Sequence, residues 1–172
     1  MNFLIKTSRN FGFTLVEILV YMAIFILVST SAIGLLFSLD DLFTQYKLKQ
    51  ALLESGTNIM ERLLIEVRES DSVSLADSVL TSSDGTLTLD KATETIKFIK
   101  NGNNLELNRD GVFEGNLNSS NIEILGATFY QYEQNGVELV RVKLDLRSTI
   151  EDQSEEWSVS GGAIIRGSYA NI

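Results

Sequence analysis

The segment RNFGFTLVEILV (residues 9–20) marks the point where a short charged leader gives way to a long apolar run. From Phe13 to Leu39 the sequence is FTLVEILVYMAIFILVSTSAIGLLFSL, in which Glu17 is the only charged residue. A helix needs ~20 predominantly apolar residues to span the hydrocarbon core of a bilayer, so this run is long enough. A buried core helix is the alternative, but the length of the run and its abrupt polar flanks favour a membrane span.

Composition narrows the classes of function. The 172 residues carry a net charge of -9, which argues against a nucleic-acid partner, because such a protein needs a basic surface. Cysteine and histidine are both absent from the sequence. Their absence removes thiol nucleophiles, thiolate metal sites and the commonest general base. We therefore expect no enzyme activity and no cofactor.

The charges on either side of the apolar run predict its orientation. Lys6 and Arg9 precede the run, whereas Asp40 and Asp41 follow it. By the positive-inside rule, the leader stays in the cytoplasm and the chain beyond the run lies outside. A secretory signal is normally cut after its apolar region, at small residues. Here the conspicuous small residue, Gly12, comes before the run instead.

Glu17 needs an explanation, because a charge at the centre of a membrane helix costs ~2.5–3.5 kcal/mol and normally has a partner. It lies about 6–7 Å of helix rise beyond Phe13, which is shallow and near the cytoplasmic face. One interpretation is that the carboxylate snorkels to the interface. The other is that a cut between Gly12 and Phe13 creates an amine at Phe13. In a packed assembly, that amine on one copy could neutralise Glu17 on its neighbour.

The motif GFTLVE (residues 12–17), followed by a long apolar helix, resembles the class III signal of type IV pilins and type II secretion pseudopilins. The shared features are a short basic leader, glycine before the cut, phenylalanine as the first mature residue and glutamate at the fifth mature position. The resemblance implies that a prepilin peptidase, which is also a methyltransferase, cuts after Gly12 and N-methylates Phe13. It also implies that Glu17 helps to register the subunit in a helical filament.

The helical pattern continues beyond the apolar run, and we predict one helix from about Phe13 to about Ser70 that could bend at Ser55–Gly56. Apolar residues recur at steps of three, four and seven, the spacing of one helical face; they are Leu42, Tyr46, Leu53, Met60, Leu63 and Val67. We expect this stripe to pack on a globular domain, with a coiled coil as the rival interpretation. The predicted organisation is a cleaved leader (1–12), a transmembrane helix (13–39), an amphipathic helix (40–70) and an extramembrane β-sheet domain (71–172).

Beyond residue 72 the periodicity becomes that of strands. Strands are predicted at 86–90, 95–100, 105–109, 122–132 and 137–146, with a last strand over 156–166 that is broken by Gly161–Gly162. Asn-Gly at 101–102 and at 135–136 separates two pairs of strands, which is a strong hairpin signal. Five or six strands in one antiparallel sheet against one helix give an α+β fold. Helix followed by meander matches the pilin fold, and the strand pattern resembles minor pseudopilins of the J type and related minor pilins.

Two acidic segments are candidates for a calcium site, since calcium takes six to eight oxygen ligands. Neither 151–156 nor 108–114 has the alternation of an EF-hand loop. We expect the first to be a solvated acidic loop and the second a turn around Asp110–Gly111, so no metal is predicted. Tyr130 and Tyr132 alternate with Phe129 and Gln131, which places one pair toward the core. An exposed aromatic patch that binds a ligand is the alternative.

Three hypotheses follow for function. The first is a minor structural subunit of a type IV pilus or a type II secretion-like pseudopilus, which an assembly platform extracts from the inner membrane. Its partners would be the peptidase, other pilin or pseudopilin subunits and membrane lipid. The second is a binding or adhesion module, at a filament tip or anchored in the membrane, and the third is a membrane-anchored enzyme. The lack of a cysteine pair and of an anchor proline weakens a major-pilin role. Pilus, secretion and DNA-uptake machines, and tip or shaft positions, all stay open.

Overall fold

The computed structural model describes residues 14–150 and 152–167, which form two compact units. The first unit ends at Phe43 and the second begins at Thr44. The described residues form one α-helix and then eight strands: α1 Leu15–Glu69, β1 Ser72–Val73, β2 Thr86–Lys91, β3 Glu94–Asn101, β4 Asn104–Arg109, β5 Val112–Asn116, β6 Ile122–Gln134, β7 Val137–Ile150 and β8 Gln153–Ile164. The expected α+β, pilin-like architecture is confirmed: a long apolar N-terminal helix with antiparallel sheets.

The N-terminal unit is the apolar part of α1. An 18-residue window of this helix has a mean hydropathy of 2.3, and none of that window is buried. Its large apolar side chains are half to three-quarters exposed, from 75% at Leu15 to 69% at Phe37. Exposure of so much apolar surface to water would be unfavourable in free energy. The helix is long and apolar enough to cross a membrane, as the sequence predicts.

The C-terminal unit contains two antiparallel sheets, so the prediction of a single sheet is wrong. Strands β1 to β5 form one sheet in sequential order, and β6, β7 and β8 form the other. The buried Asn118 carries the chain from one sheet to the next. Its Oδ1 accepts a hydrogen bond from the Leu105 N–H at 3.0 Å, and its Nδ2 donates to the Ile122 carbonyl at 2.7 Å. These bonds satisfy backbone groups where the ladder is interrupted.

The predicted hairpins are confirmed. Asn135 and Gly136 have φ of 53° and 78°, which is the left-handed pair that a two-residue type I′ turn requires. Gly102 has φ of 56°, and β3 pairs with β4 from Asn101 opposite Asn104 onward. The expected turn at Asp110–Gly111 is also present, and it leads into β5, a strand that the sequence analysis missed. In β7, alternation places Val140, Val142, Leu144 and Leu146 on the buried face.

The buried face of α1 differs from the predicted stripe. Tyr46 and Leu53 are 66% and 52% exposed, because steps of seven residues drift by ~20° per heptad on a straight helix. Leu42, which is 59% exposed, belongs to the first unit. The observed face keeps the 3.6-residue period instead. It consists of Leu48, Leu52, Ser55, Gly56, Ile59, Met60, Leu63, Glu66 and Val67. The second half of the predicted stripe is therefore right, and its first half points away from the core.

The predicted break at Gly161–Gly162 is wrong as well, because β8 pairs with β7 from Gln153 to Ile164 without interruption. A Cβ on Gly161 would lie 3.0 Å from the Sδ of Met60 and 3.1 Å from the Cδ1 of Leu64. The absence of a side chain at Gly161 allows α1 and β8 to pack closely together. The same strand also corrects the expected acidic loop at 151–156, because Glu155 and Glu156 lie on β8.

Gly56 is a second point of close packing, and we predict that Gly56→Ala destabilises the protein. An added Cβ would lie 2.5 Å from Cζ3 of Trp157 and 2.8 Å from Cδ1 of Leu146. Overpacking of this kind costs about 1–3 kcal/mol, which outweighs the gain of about 1 kcal/mol from the better helix propensity of alanine. Thermal unfolding should show a loss of a few degrees. The exposed neighbour Thr57→Ala is the control; a stabilised Gly56→Ala would mean that Trp157 moves aside without cost.

Candidate processing and assembly site

The start of α1 is built by a capping motif. Thr14 directly precedes Leu15, the first helical residue, and its Oγ1 accepts a hydrogen bond from the N–H of Glu17 at 3.3 Å. This is the N-cap arrangement that satisfies one of the unpaired N–H groups of a helix, and Thr-x-x-Glu is its usual sequence. Gly12 and Phe13, which flank the predicted cut, lie outside the described residues. The geometry of the cut therefore stays a prediction.

Glu17 lies in the first turn of α1, half-buried among exposed apolar side chains. Its Oε1 accepts a hydrogen bond from the hydroxyl of Tyr21 at 3.2 Å. Tyr21 is one turn further along, at the i,i+4 spacing that brings side chains together. A carboxylate in the first turn is also favoured by the helix dipole, by about 0.3–1 kcal/mol.

The hydroxyl of Tyr21 and the helix dipole provide part of the stabilisation that a carboxylate in a membrane needs. Tyr21 was not predicted to contact Glu17, although the four-residue spacing between them is the sequence signal for such a contact. A hydroxyl and a helix dipole do not neutralise a full charge. Pairing of Glu17 with the Phe13 amine of a neighbouring copy thus stays a prediction, and so does simple snorkelling.

A cluster of ion pairs lies at the opposite end of α1. Glu66 is 8% exposed; its Oε2 accepts a hydrogen bond from Nζ of Lys91 at 2.6 Å, and its Oε1 accepts one from Nη2 of Arg109 at 3.1 Å. Arg109 also donates from Nη1 to Glu94 at 2.7 Å. The cluster connects the last turn of α1 to β2, β3 and β4. This cluster was not predicted from the sequence, because Glu66 lies on the mostly apolar buried face of α1.

The pKa values follow from these contacts. Burial opposes the charged form of Glu66, but the hydrogen bonds and charges of Lys91 and Arg109 outweigh it, so the pKa of Glu66 is lowered. Burial would also lower the pKa of Lys91, yet Glu66 and Glu69 raise it overall. The hydrogen bond to Glu94 is the main cause that raises the pKa of Arg109. All three groups are therefore charged at neutral pH.

This cluster should make part of the stability of the protein acid-sensitive. The pKa of Glu66 in the folded chain lies below its ordinary value of 4.5. Its contribution is then complete above that value and is lost as the pH falls through the folded-state pKa. We predict that Glu66→Gln lowers the free energy of unfolding by about 2 kcal/mol at pH 7, and that its difference from the wild type shrinks below pH ~4. Denaturant unfolding at both pH values measures this, with the exposed Glu61→Gln as control. A difference that is the same at both pH values would contradict it.

The other sequence candidates do not form a site. In the part of the chain that the structure describes, no group of three or more acidic residues is placed to hold a metal ion. Glu114 pairs with Arg62 at 3.1 Å and with Arg109 at 3.3 Å. Glu156 lies 2.5 Å from Arg147. These carboxylates are engaged in ion pairs between neighbouring elements.

Tyr130 and Tyr132, the candidates for an aromatic patch, lie on the outer side of β6. Phe129 is fully buried, whereas Tyr132 is 52% exposed and stacks with Tyr130 at a centroid distance of 6.5 Å. An open groove of about 640 Å³ runs along α1 from Tyr46 to Asn58. All of its lining residues come from the helix itself, so no second element converges on it. That arrangement is typical of a helix surface rather than of a catalytic pocket.

Comparison with known proteins adds one finding to this geometry. Residues 7–33 match the family described as the prokaryotic N-terminal methylation motif. The matched range contains Gly12, Phe13 and Glu17, together with the first turns of α1. No curated protein and no solved structure matches the chain. The chain thus carries the N-terminal methylation signal of type IV pilins and pseudopilins, at the head of an apolar helix that can cross a membrane.

Proposed function

We propose that this protein is a minor structural subunit of a type IV pilus or of a type II secretion-like pseudopilus. The observation that carries the proposal is the position of the methylation motif, which overlaps the start of a 55-residue helix with an exposed apolar half. A motif of this kind implies processing by prepilin peptidase and assembly with other pilins. The C-terminal sheets would then form the outer layer or the tip of the filament.

Processing and orientation follow from the residues around the motif. The peptidase would cut after Gly12 and methylate the new amine of Phe13. Before assembly, the leader with Lys6 and Arg9 would lie in the cytoplasm and the sheets outside. An assembly platform in the inner membrane would then move the subunit from lipid into the filament, where Glu17 would set its register.

A minor role is favoured over that of a main filament subunit by two features of the sequence. The chain has no cysteine pair to staple a C-terminal loop, and no proline in the anchor helix. The strand pattern of the sequence, which resembles minor pseudopilins of the J type, points in the same direction. A structural role rather than catalysis is supported by the lack of histidine and cysteine, which leaves few groups that titrate near neutral pH.

The mass of the N-terminal peptide from native membranes tests this proposal. We expect a peptide that begins at N-methylated Phe13, because the peptidase both cuts and methylates its substrates. A peptide that begins at Met1 would overturn the proposal and leave a signal-anchored protein. The fragmentation spectrum locates the methyl group. It therefore distinguishes methylation of the Phe13 amine from methylation of Lys47, the first lysine after the predicted cut.

A binding or adhesion module is the second candidate, and the Tyr130–Tyr132 pair supports it. Stacked tyrosines with one ring 52% exposed offer apolar area with hydroxyl groups at its rim, which suits ligand contact. Tyr132→Ala would then abolish adhesion while filament number stays normal. Loss of filaments together with adhesion would favour the structural role alone.

A further inference from the structure

Strand β8 is a long sheet edge that no strand of the described part of the chain covers. It is the last strand of the three-stranded sheet, and its twelve residues pair with β7 in an uninterrupted register. Natural proteins protect such edges with proline, charged side chains and lysine above all, a β-bulge or a covering segment. Strand β8 contains no proline and no lysine, its pairing with β7 has no register shift, and its charged residues, Glu155 and Glu156, lie near its start.

The other edges in the described part of the chain are short or covered. Strand β1 has two residues, and β5 has five and is paired through a bulge. The edge of β6 is covered by the segment 79–85, because Thr81 and Gly85 donate their N–H groups to Phe129 and Ala127. Strand β8 therefore differs from all of them.

The outward hydrogen-bonding groups of β8 can be assigned from its pairing. Ile165 donates its N–H to the carbonyl of Glu138, in line with the register that places Ile164 opposite Leu139. Odd-numbered residues of β8 thus bond to β7, and even-numbered residues direct their N–H and C=O groups outward. No other described segment makes a backbone hydrogen bond to the even-numbered residues from Ser154 to Gly162, so their outward groups have no backbone partner in the part of the chain that the structure describes.

An apolar ledge lies beside the same edge, on the side of the strand that faces α1. Trp157 and Val159 of β8 are only partly buried, and Leu53 of the helix is 52% exposed. Leu53, Trp157 and Lys49 line an open cleft of about 170 Å³. An added strand would place alternate side chains over this ledge, and the cleft has room for one apolar side chain.

We propose that the β8 edge binds an extended segment of a different polypeptide, which adds a fourth strand to the sheet. The segment would carry apolar residues at alternate positions, to cover Trp157 and Val159, and basic residues opposite the acidic start of β8. Asp152, Glu155 and Glu156 lie at that start; Lys49 pairs with Glu155 and Arg147 with Glu156. These acidic groups outnumber the two cations, in a chain of net charge -9, so a basic segment gives charge complementarity. Main-chain hydrogen bonds supply affinity in this mode, and the alternate side chains supply specificity.

A second copy of this chain is the other candidate for this edge. Two β8 strands that pair antiparallel would be related by a two-fold axis perpendicular to the sheet. Cross-links between two copies would identify such a pair and distinguish it from a different polypeptide.

Photo-cross-linking of the full-length chain in native membranes tests the proposal. A benzophenone amino acid replaces Ser154 in one variant and Ser160 in another, and mass spectrometry identifies the linked peptides. We expect both variants to link to one segment of one other polypeptide, at positions about six residues apart, as Ser154 and Ser160 are. Links to lipid, to a second copy or to unrelated segments, or no link at all, would overturn the proposal.

A matched pair of variants shows whether the backbone of β8 is responsible. Ser158→Pro removes an outward N–H and leaves the bonds to β7 intact. Ser158→Ala keeps that N–H, and both variants lose the hydrogen bond from Ser158 to Asp145. We expect the proline variant to reduce the Ser154 and Ser160 links about tenfold or more, and the alanine variant to keep them. Equal links in both variants would count against strand addition.

Amide hydrogen exchange on the wild type gives a readout that does not depend on a proline variant folding. In the purified chain, odd-numbered amides of β8 should exchange slowly and Glu156, Ser158 and Ser160 should exchange fast. In native membranes we expect these even-numbered amides to slow about a hundredfold. Unchanged exchange would overturn the inference. The proposed filament role could fail independently, because it is tested by the N-terminal mass.

Discussion

Replacing Gly12 by valine is expected to leave nearly all of the protein in the membrane as a precursor that begins at Met1. Glycine has no Cβ, so the backbone before the predicted cut can approach the peptidase closely and adopt conformations that other residues avoid. A branched side chain at Gly12 would exclude that approach. The measurement is the mass of the intact chain from membranes, where the variant should lack both the cut and the methyl group.

The control for this variant is a second glycine near the motif. Gly34 lies in the apolar part of α1, and an added Cβ there meets no atom within 4 Å. Gly34→Ala should therefore be processed like the wild type. If Gly12→Val were also cut normally and began at N-methylated Phe13, the glycine would have no part in recognition, although the cut would still lie between residues 12 and 13. A variant cut at another position would mean that the assignment of residues 12–13 as the cutting site is wrong.

Local signals predicted most of the fold correctly. The apolar run predicts α1, whose end at Glu69 lies within one residue of the expected position. Asn135–Gly136 predicts a hairpin because only residues that tolerate positive φ fit a type I′ turn. Alternation in β7 predicts its buried face, since the period of a strand leaves only two choices.

The predictions that proved wrong concern features that tertiary packing determines. Heptad steps from Tyr46 to Leu53 suggest a face that the 3.6-residue period moves away from the core. Gly161 suggested a break in the last strand. In the structure the helix passes directly over the strand at Met60, a close contact that glycine at that position allows, and the sequence alone does not show this contact. Between the two sheets the Asn118 side chain bonds to the backbone of Leu105 and Ile122, and such contacts have no periodic signal in the sequence.

The residues of the candidate site can be named from the sequence without any knowledge of tertiary contacts, because GFTLVE is a short contiguous motif. The roles of Gly12, Phe13 and Glu17 stay predictions. The structure adds Thr14 as the N-cap and Tyr21 as a hydrogen-bond donor to Glu17. The Glu66 cluster was missed because it joins elements that are 25 and 43 residues apart in the sequence.

Replacing Glu17 by glutamine should have the second large effect, on assembly rather than on processing. We expect normal cutting and methylation, because the peptidase acts at Gly12 and Phe13. Incorporation into filaments should fall about tenfold or more, since the amine of Phe13 on a neighbouring subunit loses the negative charge that neutralises it in an apolar environment. The measurement is the ratio of this protein in sheared filaments to that in membranes, by quantitative mass spectrometry.

Two further variants separate the possible roles of the carboxylate. Glu61→Gln removes an exposed carboxylate elsewhere on α1 and should leave incorporation unchanged. Tyr21→Phe removes the hydroxyl that donates to Glu17 but keeps the charge, so its effect should be small if the amine is the main partner. If Tyr21→Phe instead matched Glu17→Gln, the intrachain hydrogen bond would be the important contact. Normal incorporation of Glu17→Gln would mean that the carboxylate only snorkels to the interface, and that the register of the subunit is set by the apolar side chains around it.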